Sequence, residues 1–259
     1  MGAYHRRILL DTRPPLVEGS SGGSVVAELE DDFHRFGVTL HHDGTVVTAV
    51  EGHADRTPWS TCEEAVGVLP DFAGMPLFTR HSEVGRWARP REHCTHLFDI
   101  TGLAVVHAGR GRMGRRTYDI EVPDREGEAT RPSVERDGEL VFRWDVDGSV
   151  IRGPAPFAEV ALRGAFLSWA EEHLDEEGAE AAMLLRRAID TSIGRGMQDV
   201  LDAMDRPNPD SLVMMEGACY SFQRVNMRRA RRNKGMARDF TSGDGRLLAD
   251  VDVQGEAGS

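Results

Sequence analysis

Three short segments of this chain carry side chains able to bind metals or attack electrophiles: Asp31-Asp32-Phe33-His34, Trp59-Ser60-Thr61-Cys62 and His93-Cys94-Thr95-His96-Leu97-Phe98-Asp99. The first leads into a predicted strand, and the other two open predicted helices. A helix N-terminus stabilises a thiolate through its dipole and its unpaired N–H groups, and thiolate is the form that ligates metal or acts as a nucleophile. Cys62 and Cys94 therefore stand where their chemistry is strongest, and the reading predicts lowered thiol pKa values for both. The compact Cys-x2-Cys spacing of zinc modules is absent. What remains is a non-local donor set of His34, Cys62, Cys94 and His96 that only the fold can assemble, with His93 left open as a further member. Thiolate and imidazole together suit a divalent metal, zinc or iron. Asp32 and Asp99 are the candidate catalytic carboxylates, as orienting group or base. The plain alternative is that the thiols are small core residues, as buried cysteines often are.

The remaining candidates read as structural. Cys219, in Glu216-Gly217-Ala218-Cys219-Tyr220-Ser221-Phe222, is expected to pack with Phe222 on one helix face. His41, His42, His53, His81 and His107 show no partner pattern and are expected at the surface. Trp59, Trp87, Trp144 and Trp169 are expected as core or rim anchors. The chain has no Gly-x-Ser-x-Gly elbow and no phosphate-cradling glycine loop after a strand.

The elements that must position these residues follow from periodicity. Val25, Ala27 and Leu29 alternate with polar residues, and so do Phe36, Val38 and Leu40. His42-Asp43-Gly44 marks a tight turn into a strand over 45–50. Helical spacing follows over 60–74, 82–87 and from Pro90 to about residue 109. Residues 116–122, 138–146 and 150–152 alternate around Asp137-Gly138 and Asp147-Gly148 turns, predicting a small antiparallel meander. Helices are predicted over 157–173, over 176–204 as one or two, and within 211–236. The fold class is α+β: an N-terminal antiparallel sheet with helices packed on it, then a β-meander and a helical C-terminal region. In domain terms, 1–24 is a flexible lead-in, 25–112 carries the Cys/His site, 113–240 is meander plus helical cover, and 241–259 is a polar tail.

The 259 residues include 31 basic and 43 acidic ones, a formal net charge of −12. That balance disfavours nucleic acid and anionic membranes, except at a basic cluster of Arg224, Arg228, Arg229, Arg231, Arg232, Lys234 and Arg238. The cluster lacks interleaved aromatics and reads as a solvated or acid-pairing helix. No apolar run approaches the roughly 18 residues of a membrane span. Ile8-Leu9-Leu10 is too short for a signal peptide, so a cytoplasmic location is expected. Three cysteines, an odd count, argue against a disulfide framework.

The pattern His34…His42-Asp43-Gly44…Pro58-Trp59…Cys62…Ala65…Gly74-Met75-Pro76-Leu77…Cys94-Thr95-His96-Leu97 resembles an uncharacterised bacterial domain family marked by a Cys-Thr-His-Leu motif. A more distant resemblance is to iron–sulfur scaffold and sulfur-acceptor proteins, which share the order strand, Asp-Gly turn, strand, cysteine opening a helix, and His-Cys pair opening a last helix. By that resemblance Cys62 matches the second cysteine, His93-Cys94 the His-Cys pair, and Asp32 falls near the family's aspartate. Glu30 stands near the place of the first cysteine, so a three-thiolate cluster site is lost and His34 or His96 replaces the missing ligand.

These readings converge on a metal-dependent enzyme, of lyase or hydrolase type, acting on a small organic substrate at the Cys/His site. A homo-oligomer is left open. The alternative is an iron–sulfur or sulfur-trafficking protein without turnover.

Overall fold

The computed structural model describes residues 2–15, 21–207, 215–242 and 245–251. Its first strand is one that alternation alone does not reveal. β1 spans Ala3–Arg13, within the stretch expected as a lead-in, with Tyr4, Ile8, Leu9 and Leu10 buried. A strand covered on both faces reads as an apolar run, and Ile8-Leu9-Leu10 is such a run. β2 (Gly23–Asp31), β3 (Arg35–His42) and β4 (Val47–Arg56) pair antiparallel in sequence order, with Leu29 opposite Phe36 and Leu40 opposite Val50. The alternating residues and the Asp-Gly turn thus form the expected hairpin.

After β4 comes a 3-10 helix over Glu63–Phe72, then α1 (His81–Trp87) and α2 (Thr95–Gly109). α2 packs against β2 and β3. Every residue from Leu97 to His107 is buried, so this helix is covered nearly all round rather than along one stripe. β5 (Gly114–Pro123), β6 (Ala129–Thr130), β7 (Ser133–Arg136), β8 (Glu139–Arg143), β9 (Asp145–Asp147), β10 (Val150–Gly153) and β11 (Val160–Ala161) follow. The chain closes with α3 (Phe166–His173), α4 (Glu176–Ser192), α5 (Gln198–Asp202) and α6 (Arg224–Met227).

The fold class is α+β, as read from the sequence. Seven strands form one sheet in the order β4-β3-β2-β1-β5-β7-β8, and four form a second in the order β11-β10-β9-β6. The predicted meander is therefore divided between two sheets. The break falls at Trp144, fully buried against Phe142, Phe157 and Phe166, where the chain passes from β8 to β9. The Asp137-Gly138 turn is formed, with both φ angles positive, at 54° and 82°, as a two-residue hairpin turn requires.

Two helical expectations are corrected. Residues 157–165 are not helical: Glu159 and Gly164 take positive φ, and helix α3 starts only at Phe166. The basic cluster is helical only over Arg224–Met227, and Arg232 within it is buried. Part of the helix expected over 211–236 lies outside the described residues.

Contacts divide the chain into two compact units, one gathering 8–115 with 197–237 and the other taking the remaining described residues. The sequence reading assigned 197–237 to the second region, whereas it is compact with the first. All the candidate site residues belong to that first unit.

Leu10 is fully buried in β1, the fourth of seven strands. Leu10→Ala should destabilise the protein by about 3 kcal/mol, through lost burial and the cavity left behind, as read by urea unfolding. A variant as stable as the wild type would place β1 outside the folded core.

Candidate metal centre

The site starts from the loop that joins β2 to β3. Residues Asp31–His34 make a tight, buried turn, closed by the Asp31 N–H donating to the His34 carbonyl at 2.9 Å. Oδ1 of Asp31 accepts from the N–H of Phe33 at 2.8 Å and of His34 at 2.9 Å, the short-range pairing that aspartate offers in turns. The same oxygen lies 2.9 Å from Nδ1 of His34.

Arg56, near the end of β4, holds this turn from outside. Its guanidinium donates to the carbonyls of Asp31 (2.6 Å), Asp32 (2.9 Å) and His34 (3.3 Å), and to the Glu30 carboxylate (3.0 Å). At the His34 carbonyl it adds a second donor beside the Asp31 N–H, and buried carbonyls that keep their donors avoid a costly desolvation.

His96 comes from the first turn of α2, and packing of that helix on β2 and β3 brings it to the loop. The His34 and His96 rings lie 3.8 Å apart, centroid to centroid, and both stack on Phe36 at 5.8 and 5.6 Å. One donor atom each of Asp31, His34 and His96 falls within 4.8 Å of the others. Two imidazoles and a carboxylate form a donor set suited to zinc or iron that leaves coordination positions open. The carboxylate is completely buried, a setting in which a cation supplies compensating charge.

The predicted set is thus partly assembled. His34 and His96 meet as expected. Cys94 borders them, its Sγ 3.9 Å from Nδ1 of His96. Cys62 faces elsewhere and accepts a hydrogen bond from the Ser221 hydroxyl at 3.2 Å. Among the described residues, the carboxylate grouped with the imidazoles is Asp31, a residue to which the sequence reading gave no role; Asp32, read there as an orienting group or base, is its neighbour in the turn. Asp31 ends β2 and Asp32 is the next residue of the turn; both are fully buried, so burial does not separate them. Asp99 sits on α2 opposite His81, 3.9 Å from its Nε2. Asp31 shows one local signal in the sequence, an Asx position three residues before His34.

The thiols correct a second expectation. Cys62 and Cys94 do stand at helix starts, and neither uses its side chain to cap. Yet burial pushes the Cys62 thiol up to about 12 and drives Cys94 well above its ordinary value, with nearby cysteines adding to the latter shift. Cys219 is raised by burial too. His93, wedged against Phe72 and Phe98, is lowered by burial, and its Nδ1 has no hydrogen-bond partner. His81 and His107, expected at the surface, are buried. His81 lies flat on Gly102 of α2, where a Cβ would stand 2.4 Å from its Cε1.

No family model matches the chain, and no curated protein matches it.

Two outcomes follow from this geometry. Arg56→Met should cost about 3 kcal/mol in urea unfolding, because it removes four hydrogen bonds from a charged donor to the buried turn and Glu30. An unchanged midpoint would show that the turn holds itself. For the thiols, the unfolded chain ionises Cys62 near its ordinary 9.0, while the folded chain holds the proton to about 12. Between these values the unfolded state binds fewer protons, so stability falls as pH rises above about 9. Denaturation midpoints across pH 7 to 10.5 check the sign, and Cys62→Ala should flatten the alkaline fall.

Proposed function

We propose that this protein is a metal-dependent enzyme of lyase or hydrolase type, acting on a small organic substrate. The observation that carries the reading is the convergence of Asp31, His34 and His96 on one place, with donor atoms within 4.8 Å of one another. The donor set differs from the one read in the sequence: Asp31 enters, Cys94 borders it, and Cys62 leaves. A divalent zinc or iron ion would supply Lewis acidity toward a carbonyl or hydroxyl oxygen.

The chain's own residues supply the rest. Asp31 holds the orientation of the His34 ring through the 2.9 Å approach of its Oδ1 to Nδ1. Phe36, fully buried beneath both rings, keeps the imidazoles in register and water from their faces. Arg56 fixes the backbone from which Asp31 and His34 project.

A second reading, handling of sulfur or an iron–sulfur cluster, is favoured by three free thiols within one compact unit. It asks for a reactive thiolate, which burial opposes in this unit. Protein loaded by a persulfide donor would carry sulfur on Cys94 or Cys219 under this reading, read by intact mass.

Elemental analysis of the purified, untagged chain tests the leading proposal. About one zinc or iron per chain is expected, lost in His34→Ala and His96→Ala and retained in Cys62→Ser. A wild-type chain that takes up neither ion from micromolar solutions overturns it. Loss on Cys62→Ser with retention on His34→Ala would return the metal to the thiols.

A further inference from the structure

One row of side chains on the large sheet takes no part in the imidazole centre. Glu28 of β2, Gly37 of β3 and His53 of β4 stand opposite one another in register. In the neighbouring row, Gly52 lies under the 3-10 helix, where a Cβ would stand 2.5 Å from Leu69. Successive side chains of a strand point to opposite faces, so His53 belongs to the other face of the sheet.

The middle residue of the row has no side chain, and that lets the outer two meet. A Cβ on Gly37 would collide with Nε2 of His53 and stand 2.5 Å from Oε2 of Glu28. Across this gap, Nε2 of His53 lies 3.3 Å from Oε1 of Glu28. The other ring nitrogen, Nδ1, lies 3.0 Å from Oδ2 of Asp55, two residues further along β4. Arg35 of β3 donates to the remaining Glu28 oxygen, Oε2, and to the Phe36 carbonyl. Glu28 and Arg35 are buried, whereas the His53 side chain is 41% exposed and open to exchange of protons with water. Both nitrogens of one imidazole thus face carboxylate oxygens. Only the charged ring carries a proton on each nitrogen, so only that form can serve both sides. The neutral ring keeps one N–H and sets a lone pair against the second carboxylate.

We propose that Glu28, His53 and Asp55 form a proton-operated clasp, which ties β4 to β2 across β3 while the imidazole is charged and loosens when the ring gives up its proton. β4 stands at one end of the seven-stranded sheet, so the clasp acts on a strand that the sheet holds from one side only. The groups facing the ring are Glu28 from β2, Arg35 from β3 and Asp55 from β4 itself, while the 3-10 helix packs on the opposite face. Their sum favours the charged form. Hydrogen bonding to Glu28 raises the His53 pKa above its ordinary 6.5 and burial opposes it; the Glu28 and Asp55 charges add to the rise, and Arg35 subtracts from it. A proton held more tightly by the folded chain than by the unfolded one stabilises the fold fully below about 6.5. That contribution is lost as pH rises through the folded value. The clasp uses none of Asp31, His34 and His96, and it stands whether or not they hold a metal.

Nuclear magnetic resonance titration of the full-length chain tests this, reading the His53 ring proton on Cε1, assigned by its loss in His53→Gln. A midpoint above 6.5 is expected, lowered by at least about half a pH unit in Asp55→Asn. The His53 and Asp55 side chains are 41% and 57% exposed, so both variants should fold, and a thermal melt verifies that. Urea unfolding from about pH 5.5 to 8.5 should show wild-type stability falling relative to His53→Gln as the ring titrates. Amide hydrogen exchange, corrected for its intrinsic pH dependence, locates the effect. Protection of the β4 amides should fall at least about threefold across the midpoint in the wild type and stay level in His53→Gln. A folded wild type whose His53 titrates at or below 6.5 overturns the proposal. So does a midpoint unmoved by Asp55→Asn, or β4 protection that follows pH equally in the wild type and His53→Gln.

Discussion

A buried turn is an expensive object, because its backbone carbonyls face away from water and need donors from the protein. Residues Asp31–His34 form such a turn, and the Arg56 guanidinium meets the requirement by donating to three of its carbonyls and to Glu30. Loops usually run over the surface for want of such a partner. One planar side chain with five N–H groups replaces the water this loop would otherwise need. Everything chemical in the unit depends on that substitution: with the turn inside, Asp31 is fully buried, His34 is turned onto it, and α2 can lay His96 over both. The same guanidinium also reaches the Met236 carbonyl at 3.4 Å, so the end of the C-terminal segment shares the anchor.

Two physical effects compete at the cysteines, and their sizes decide the result. A helix N-terminus favours a nearby negative charge by roughly 0.3–1 kcal/mol. Moving a thiol from an ordinary 9.0 to about 12 corresponds to about 4 kcal/mol against the thiolate. Burial wins, and the residues that look most nucleophilic in the sequence are held as neutral S–H groups in the fold.

The C-terminal segment shows how a charged sequence can be structural. Arg232 lies over the Trp59 ring, 5.4 Å from its centroid, while its guanidinium donates to Asp202 and Gln198 and to the Pro58 carbonyl. Arg229 pairs with Glu64, and Lys234 with Asp205. Ser60 and Arg231 exchange hydrogen bonds, and Asn233 holds the Thr57 and Pro58 backbone. A stretch that reads as a solvated or acid-pairing helix does pair with acids, and is helical only over Arg224–Met227. Its arginines bond the loop leading to Cys62, and its Cys219–Ser221 turn meets the two helix starts.

What the sequence determined by itself was local: the β2–β3–β4 register from alternation and an Asp-Gly turn, the helix starts at Cys62 and Cys94, and the α+β class. These rest on contacts between near neighbours, whose periodicity is written in the order of residues. The grouping of Asp31 with the imidazoles, the meeting of His34 with His96, and the hydrogen bond of Ser221 to Cys62 were decided only by tertiary structure. So were the burial of β1 on both faces and the division of the predicted meander at Trp144. Each depends on which face of an element is covered and by what distant segment. Burial is a property of the packed molecule, and a lone sequence window carries no record of it.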